Sequence, residues 1–178
     1  MTKVKIPALL LVSILAAGVS VADDCPIERA RYQLMADPEY TAGFELKPTV
    51  VSPDGELVFF VASAKSAFTY RFRLNFGNGF TTLSMTPLAA MQSANSSVGL
   101  NDLPVSQAQA FQPLFLIKQD LTFLESELAV AGLAAPMYVF PSALAPELWY
   151  HSEAYGNPHN IRESMTRSFF KFVACSRA

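Results

Sequence analysis

Both histidines of the chain lie in one short segment, Trp149-Tyr150-His151-Ser152-Glu153-Ala154-Tyr155-Gly156-Asn157-Pro158-His159. His151 and Glu153 are two residues apart, so on an extended strand they would share a face. The Gly156-Asn157-Pro158 turn would bring His159 back toward them. Two imidazoles and a carboxylate can hold a zinc ion with one coordination position open, the arrangement a metal-assisted hydrolase uses. The spacing follows no established ligand pattern, however. Histidine and glutamate beside aromatic residues in a loop ordinarily serve solubility and local hydrogen bonding.

Arg71 and Arg73 are the second candidates. Two apart on a strand, their guanidinium groups point the same way and could grip a carboxylate or phosphate bidentately. This requires that the polar face of their strand line a lumen. On a solvent-facing sheet they would pair instead with cross-strand acids such as Glu45 or Glu56, at about 0–1 kcal/mol each. Trp149 and Tyr150 are the third candidates, because exposed aromatic rings with a polar handle make stacking platforms for a carbohydrate or peptide. Burial of Trp149 under the sheet is the ordinary alternative.

The familiar catalytic signatures are missing. The chain has no Gly-x-Ser-x-Gly elbow, no His-Glu-x-x-His and no phosphate loop. A triad assembled from distant residues would leave no such mark. No cofactor is implied. The formal charge of −2 is well mixed along the chain. Without a basic stripe it does not suit nucleic acid, and no polybasic or amphipathic membrane segment is visible.

These candidates depend on a frame that other residues supply. The start, MTKVKIPALLLVSILAAGVSVADDC, has Lys3 and Lys5, then an apolar run from Ile6 to Ala17, then Ser20-Val21-Ala22. This is the pattern of a cleaved secretory leader over 1–22, and the run falls short of the about 20 apolar residues a spanning helix needs. The remaining 23–178 suits one domain. The chain's two cysteines, Cys25 and Cys175, sit near the two ends of that domain. In an exported protein they predict one disulfide, which would place the first and last ordered segments side by side.

Residues 41–86 read as a four-stranded antiparallel meander, about 41–51, 56–63, 67–76 and 80–86. Phe68, Tyr70, Phe72, Leu74 and Phe76 alternate with Thr69, Arg71, Arg73 and Asn75. Between Leu57 and Ala62 both faces are apolar, which predicts burial on both sides. Pro53-Asp54-Gly55, Ser63–Ser66 and Gly77-Asn78-Gly79 supply the turns. Residues 24–40 favour a strand over a helix. Residues 87–113 are polar and small, a candidate mobile loop, and Asn95-Ser96-Ser97 matches a glycosylation sequon. Leu114–Lys118 reads as a strand and 120–132 as a helix, although 121–124 would also continue the strand. Met137–Phe140, Leu148–Tyr150 and Ser168–Cys175 read as strands, the last with Phe170, Phe172 and Ala174 on one face.

The expected molecule is therefore a mostly β protein, an antiparallel sandwich or partly closed barrel, with its ends joined by a disulfide. Its expected role is non-enzymatic: an exported domain, periplasmic or secreted, that binds a protein or small-molecule partner. The apolar sheet face and the loops would form the binding surface, without nucleic acid and without stable membrane insertion. The alternative is a metal-binding protein or metal-assisted hydrolase centred on His151, Glu153 and His159.

Overall fold

Alternating apolar side chains need an inside and an outside, and here the inside is the lumen of a closed barrel. The computed structural model describes residues 22–48, 53–76, 83–88, 112–124, 129–157 and 161–176. Eight strands run up and down in sequence order: β1 (Ala30–Leu34), β2 (Tyr40–Lys47), β3 (Glu56–Ser63), β4 (Phe68–Phe76), β5 (Leu83–Pro87), β6 (Gln112–Ile117), β7 (Tyr138–Pro141) and β8 (Phe170–Cys175). Each pairs antiparallel with the next, and β8 closes the ring on β1. Closure leaves no unpaired sheet edge. The meander strands start and stop close to where turn chemistry places them, and β1 confirms the strand reading of 24–40.

The interior is filled with rings. Tyr32, Tyr40, Phe44, Phe59, Tyr70, Phe72 and Phe170 are fully buried. The register sets Phe44 opposite Phe59 and Phe59 opposite Phe72. Their centroids lie 5.2 and 6.1 Å apart, and Tyr32 continues the series to Phe44 and Phe172 at 6.1 and 6.0 Å. A slip of one residue would turn all of these outward, so burial and register enforce each other.

The doubly apolar stretch of β3 has a local explanation. Phe60 points outward, but its ring lies over Gly43 and under the Arg31 guanidinium, 5.6 Å from the ring centre. A Cβ at Gly43 would stand 2.8 Å from Phe60 Cζ and 2.9 Å from the Ala30 carbonyl oxygen. Gly43→Ala is expected to destabilise the protein by about 1–3 kcal/mol, the usual cost of overpacking. An unchanged thermal melt would show that the ring can leave at no cost.

Two lids cover the barrel ends. At one end lie short helical turns at Ala22–Asp24 and Ile27–Arg29, and residues 25–27 pair with 133–135. Ile27 N–H donates to Leu133 O and Ala135 N–H to Cys25 O, both at 2.8 Å. Cys25 and Cys175 are joined there, their Cα atoms 5.7 Å apart, within the span a disulfide bridges. At the other end the β7–β8 connection folds over the lumen. It contains the helix α1 (Leu144–Tyr150) and a short helical turn at Ser152–Tyr155.

Helix α1 corrects the strand expected at Leu148–Tyr150. Pro146 falls in its first turn, where a missing N–H costs nothing. Leu144, Ala145 and Leu148 then share the buried face, a spacing visible only once the barrel mouth lies beneath it. The helix expected at 120–132 is also overturned over its described residues. Asp120 Oδ1 accepts the Thr122 N–H at 3.0 Å, and Leu121 takes φ 66°. Leu124 N–H returns to Leu116 O at 2.8 Å, and Phe123 bridges Ile117. The strand doubles back in a tight turn, so Asp120 holds a turn rather than capping a helix. In β8 a register shift between Arg31 and Tyr32 leaves Ala174 exposed while Phe170 and Phe172 stay inside. Residues 1–21 of the leader expected over 1–22, the Gly77-Asn78-Gly79 turn, and residues 89–111 of the loop expected over 87–113, with its sequon, lie outside the described residues; at that loop's ends Pro87 closes β5 and Gln112-Pro113 open β6.

Candidate functional site

The polar interior of the barrel gathers at the end that α1 covers. Glu163 is 1% exposed, and its carboxylate reaches into the mouth of the barrel. Oε2 accepts the Tyr40 and Ser63 hydroxyls, each at 2.9 Å. Oε1 accepts Tyr70 at 2.9 Å and also Ser66. Asn157 Nδ2 donates to the Tyr70 oxygen at 2.9 Å. Glu163 N–H donates to Leu148 O at 3.2 Å, tying this segment to α1. Four hydroxyl donors on two oxygens satisfy a carboxylate without a cation.

The tyrosines stay protonated donors. Burial pushes the Tyr70 hydroxyl up to about 12, with Glu163 adding in the same direction. Burial raises Tyr40 likewise, again reinforced by Glu163. The serine hydroxyls are engaged on the same carboxylate, and Ser63 is buried. The cluster is thus a clasp between the covering segment and strands β2, β3 and β4. It is not an exposed nucleophile with its base.

A second polar group joins β6 to the same lid. Gln112, on the inner face of β6, contacts the Tyr155 hydroxyl, which in turn lies 3.4 Å from Glu147 Oε2. Burial raises the Tyr155 hydroxyl above its ordinary range, and Glu147 adds to this. Gln112 Oε1 has no hydrogen-bond partner among the described residues.

The outer surface of the same lid is open. Between α1 and residues 163–167 lies a cleft of ≈ 330 Å³ whose lining includes Trp149, Tyr150, Met165 and Arg167. Trp149 is 40% and Tyr150 68% exposed, so the burial expected for a lone tryptophan did not occur. Both stand at the C-terminal end of a helix whose opposite face is used on the barrel. The Arg167 guanidinium lies 5.9 Å from the centre of the Phe140 ring. Among the described residues it has no carboxylate within ion-pair distance.

The other candidates from sequence fall elsewhere. Arg71 and Arg73 face outward from β4, where Arg71 Nε meets Glu45 Oε1 at 2.9 Å and Arg73 Nε meets Glu56 Oε1 at 2.7 Å. Those are the two acids that the solvent-facing arrangement requires. The His151 N–H closes α1 on Glu147 O at 2.8 Å, and its side chain is exposed. Glu153 belongs to the turn at Ser152–Tyr155; its side chain and His159 lie outside the described residues. No group of three potential metal ligands converges among the described residues. Sequence reasoning missed Glu163, and no local pattern marks it. Its donors Tyr40, Ser63 and Tyr70 are 123, 100 and 93 residues away in the chain.

Compared with family models, curated proteins and solved structures, the chain matches none.

Proposed function

We propose that this chain is an exported, non-enzymatic binding domain whose ligand occupies the cleft between α1 and residues 163–167. The observation that carries the reading is the pairing there of two exposed aromatic rings, Trp149 and Tyr150, with a guanidinium that lacks an acidic partner. Flat rings take a planar or apolar group by stacking, and a guanidinium takes a carboxylate or phosphate by paired hydrogen bonds. The ligand class that fits is an organic anion joining a flat ring to an acidic group. Export is supported by the leader pattern of residues 1–22 and by the disulfide, which persists in oxidising compartments. Glu163 also lines the cleft, but its two oxygens are taken up by the hydroxyls of Tyr40, Ser63, Ser66 and Tyr70, which supports binding over catalysis.

Trp149 is the only tryptophan in the chain, so its emission reports on the cleft alone. Benzoate and benzamide share a ring and differ in charge. Benzoate is expected to change the emission saturably and to bind about ten-fold tighter than benzamide, as hydrogen bonds to a charged group imply. Arg167→Ala should remove that difference. Absence of a saturable response to both probes, or a benzoate affinity indifferent to Arg167→Ala, would falsify the reading.

A further inference from the structure

The outside of the barrel has two unlike sides. Around β2, β3 and β4 the cations are neutralised by neighbours: Arg71 by Glu45, Arg73 by Glu56, Lys47 by Glu45, and Lys65 by Asp37 and Glu39. Around β6, β7 and β8 the outward side chains are rings in one contact series. Phe123 meets Phe115 at 5.7 Å, Phe115 meets Phe140 at 6.3 Å, Phe140 meets Phe169 at 4.8 Å, and Phe169 meets Tyr138 at 6.2 Å. Leu121 and Phe123, at the tip of the turn after β6, are 71% and 64% exposed. A contiguous apolar surface of this kind marks an interaction site.

The cations on this side are Lys118 beside that turn, Lys171 opposite Tyr138, and Arg167 over Phe140. None has a carboxylate of the described residues within ion-pair distance. Asp120 is also here; it accepts from the Thr122 hydroxyl and N–H, which with the nearby charge of Lys118 hold its carboxyl below the usual range; Glu125 and Glu127 lie outside the described residues. Among the described residues the face is therefore apolar, with three cations against the one carboxylate of Asp120.

We propose that this face docks peripherally on an anionic bilayer. Arg167, Lys171 and Lys118 contact lipid phosphates, and Leu121, Phe123 and Phe169 enter the headgroup–acyl boundary. The inference rests on the cleft reading in one respect, because Arg167 serves both. Several features favour a lipid surface over a folded partner. The face is the convex wall of a barrel. Two of its cations are lysines, which protein interfaces deplete. Its most exposed apolar side chains project from one tight turn, as an interfacial wedge does. Trp149 and Tyr150 continue it through Arg167, the ring types enriched at membrane–water boundaries. No helix among the described residues is long and apolar enough to cross a membrane. The ion-paired outer face of β2–β4 is not a lipid-facing wall, so the attachment is to one side only.

Flotation with vesicles tests this. The full protein is expected to bind equal-part phosphatidylglycerol/phosphatidylcholine vesicles about ten-fold or more tighter than pure phosphatidylcholine, and to lose that preference at high salt. The double substitution Phe123→Ser/Phe169→Ser should lower binding about ten-fold, and Lys171→Glu about five-fold or more, with thermal melts unchanged. Equal or absent binding to the two vesicles overturns the proposal, as does binding indifferent to both variants. Light scattering that shows a dimer dissolved by Phe169→Ser assigns the face to a second copy and also overturns it. The benzoate response of Trp149, measured on the same protein, separates the two readings. Kept in the absence of vesicle binding, it rejects the docking and leaves the cleft; lost while vesicle binding persists, it rejects the cleft alone.

Discussion

Breaking the Cys25–Cys175 bridge, by reduction or by Cys175→Ser, is expected to lower the melting temperature by about 10–20 °C. The two cysteines are 150 residues apart in the chain, so the bridge restrains nearly all of the unfolded described protein. In the chain-entropy picture a loop of that length is worth about 5 kcal/mol, as a ceiling from which native strain subtracts. For a chain of this size each kcal/mol moves the midpoint by about 2–4 °C. The seam itself should survive under mild conditions, because five residue pairs still join β1 to β8 and Ser176 N–H still donates to Arg29 O at 2.9 Å. The reduced protein is therefore expected to keep its strand signal and its oligomeric state at room temperature. Circular dichroism melts with and without reductant, together with light scattering, measure both. A midpoint unmoved by reduction would mean that the ladder alone holds the ends together.

The second large effect is expected at Glu163. Glu163→Ala removes the acceptor shared by Tyr40, Ser63, Ser66 and Tyr70. Buried donors left without a partner cost about 1–3 kcal/mol each when nothing replaces the acceptor. Hydroxyls can turn toward one another, and water can enter the space a methyl leaves. The net loss is therefore set at about 3–5 kcal/mol, comparable to breaking a buried charged network. Glu163→Gln keeps the shape and one acceptor oxygen, and hydroxyls facing its amide can reverse to accept; its loss should be about 1–3 kcal/mol. Urea denaturation of the three proteins gives the order wild type, Gln, Ala. A loss below about 1 kcal/mol for Glu163→Ala would show that the covering segment is held by Leu144, Leu148 and Met165 rather than by the carboxylate. Because Glu163 also ties its segment to α1 through Leu148 O, the Ala variant should weaken the benzoate response of Trp149 as well.

The strands of the meander were legible for a definite reason. A period of two between polar and apolar residues is local information, and the Pro53-Asp54-Gly55 and Ser63–Ser66 turns bound it on either side. Gly55 has φ 106° and Ala67 φ 54°, the left-handed backbone that those turns need. Helix α1 was misread because three residues, Leu148-Trp149-Tyr150, are too short to carry a period. Its apolar stripe includes Leu144 and Ala145 on the far side of Pro146, and only the barrel mouth makes that stripe an inside face. The helix expected from Asp120 failed because an aspartate offers the same oxygen to a turn as to a helix start. Cover on the outer side of Phe60 was predicted without its source, which is the missing side chain at Gly43 on the neighbouring strand.

The sequence by itself determined which residues form the strands of the meander, which side of each of those strands is apolar, and which two sulfurs meet. Those properties depend on a side chain's relation to its own strand, or on there being a single possible pair. Closure of the sheet into a barrel, the clasp of Glu163 on hydroxyls from distant segments, and the aromatic face assembled from Phe115, Phe123, Tyr138, Phe140 and Phe169 were decided only by the tertiary structure. Each requires strands far apart in the chain to meet in one register, and a linear pattern records the direction of a side chain without recording what it will meet.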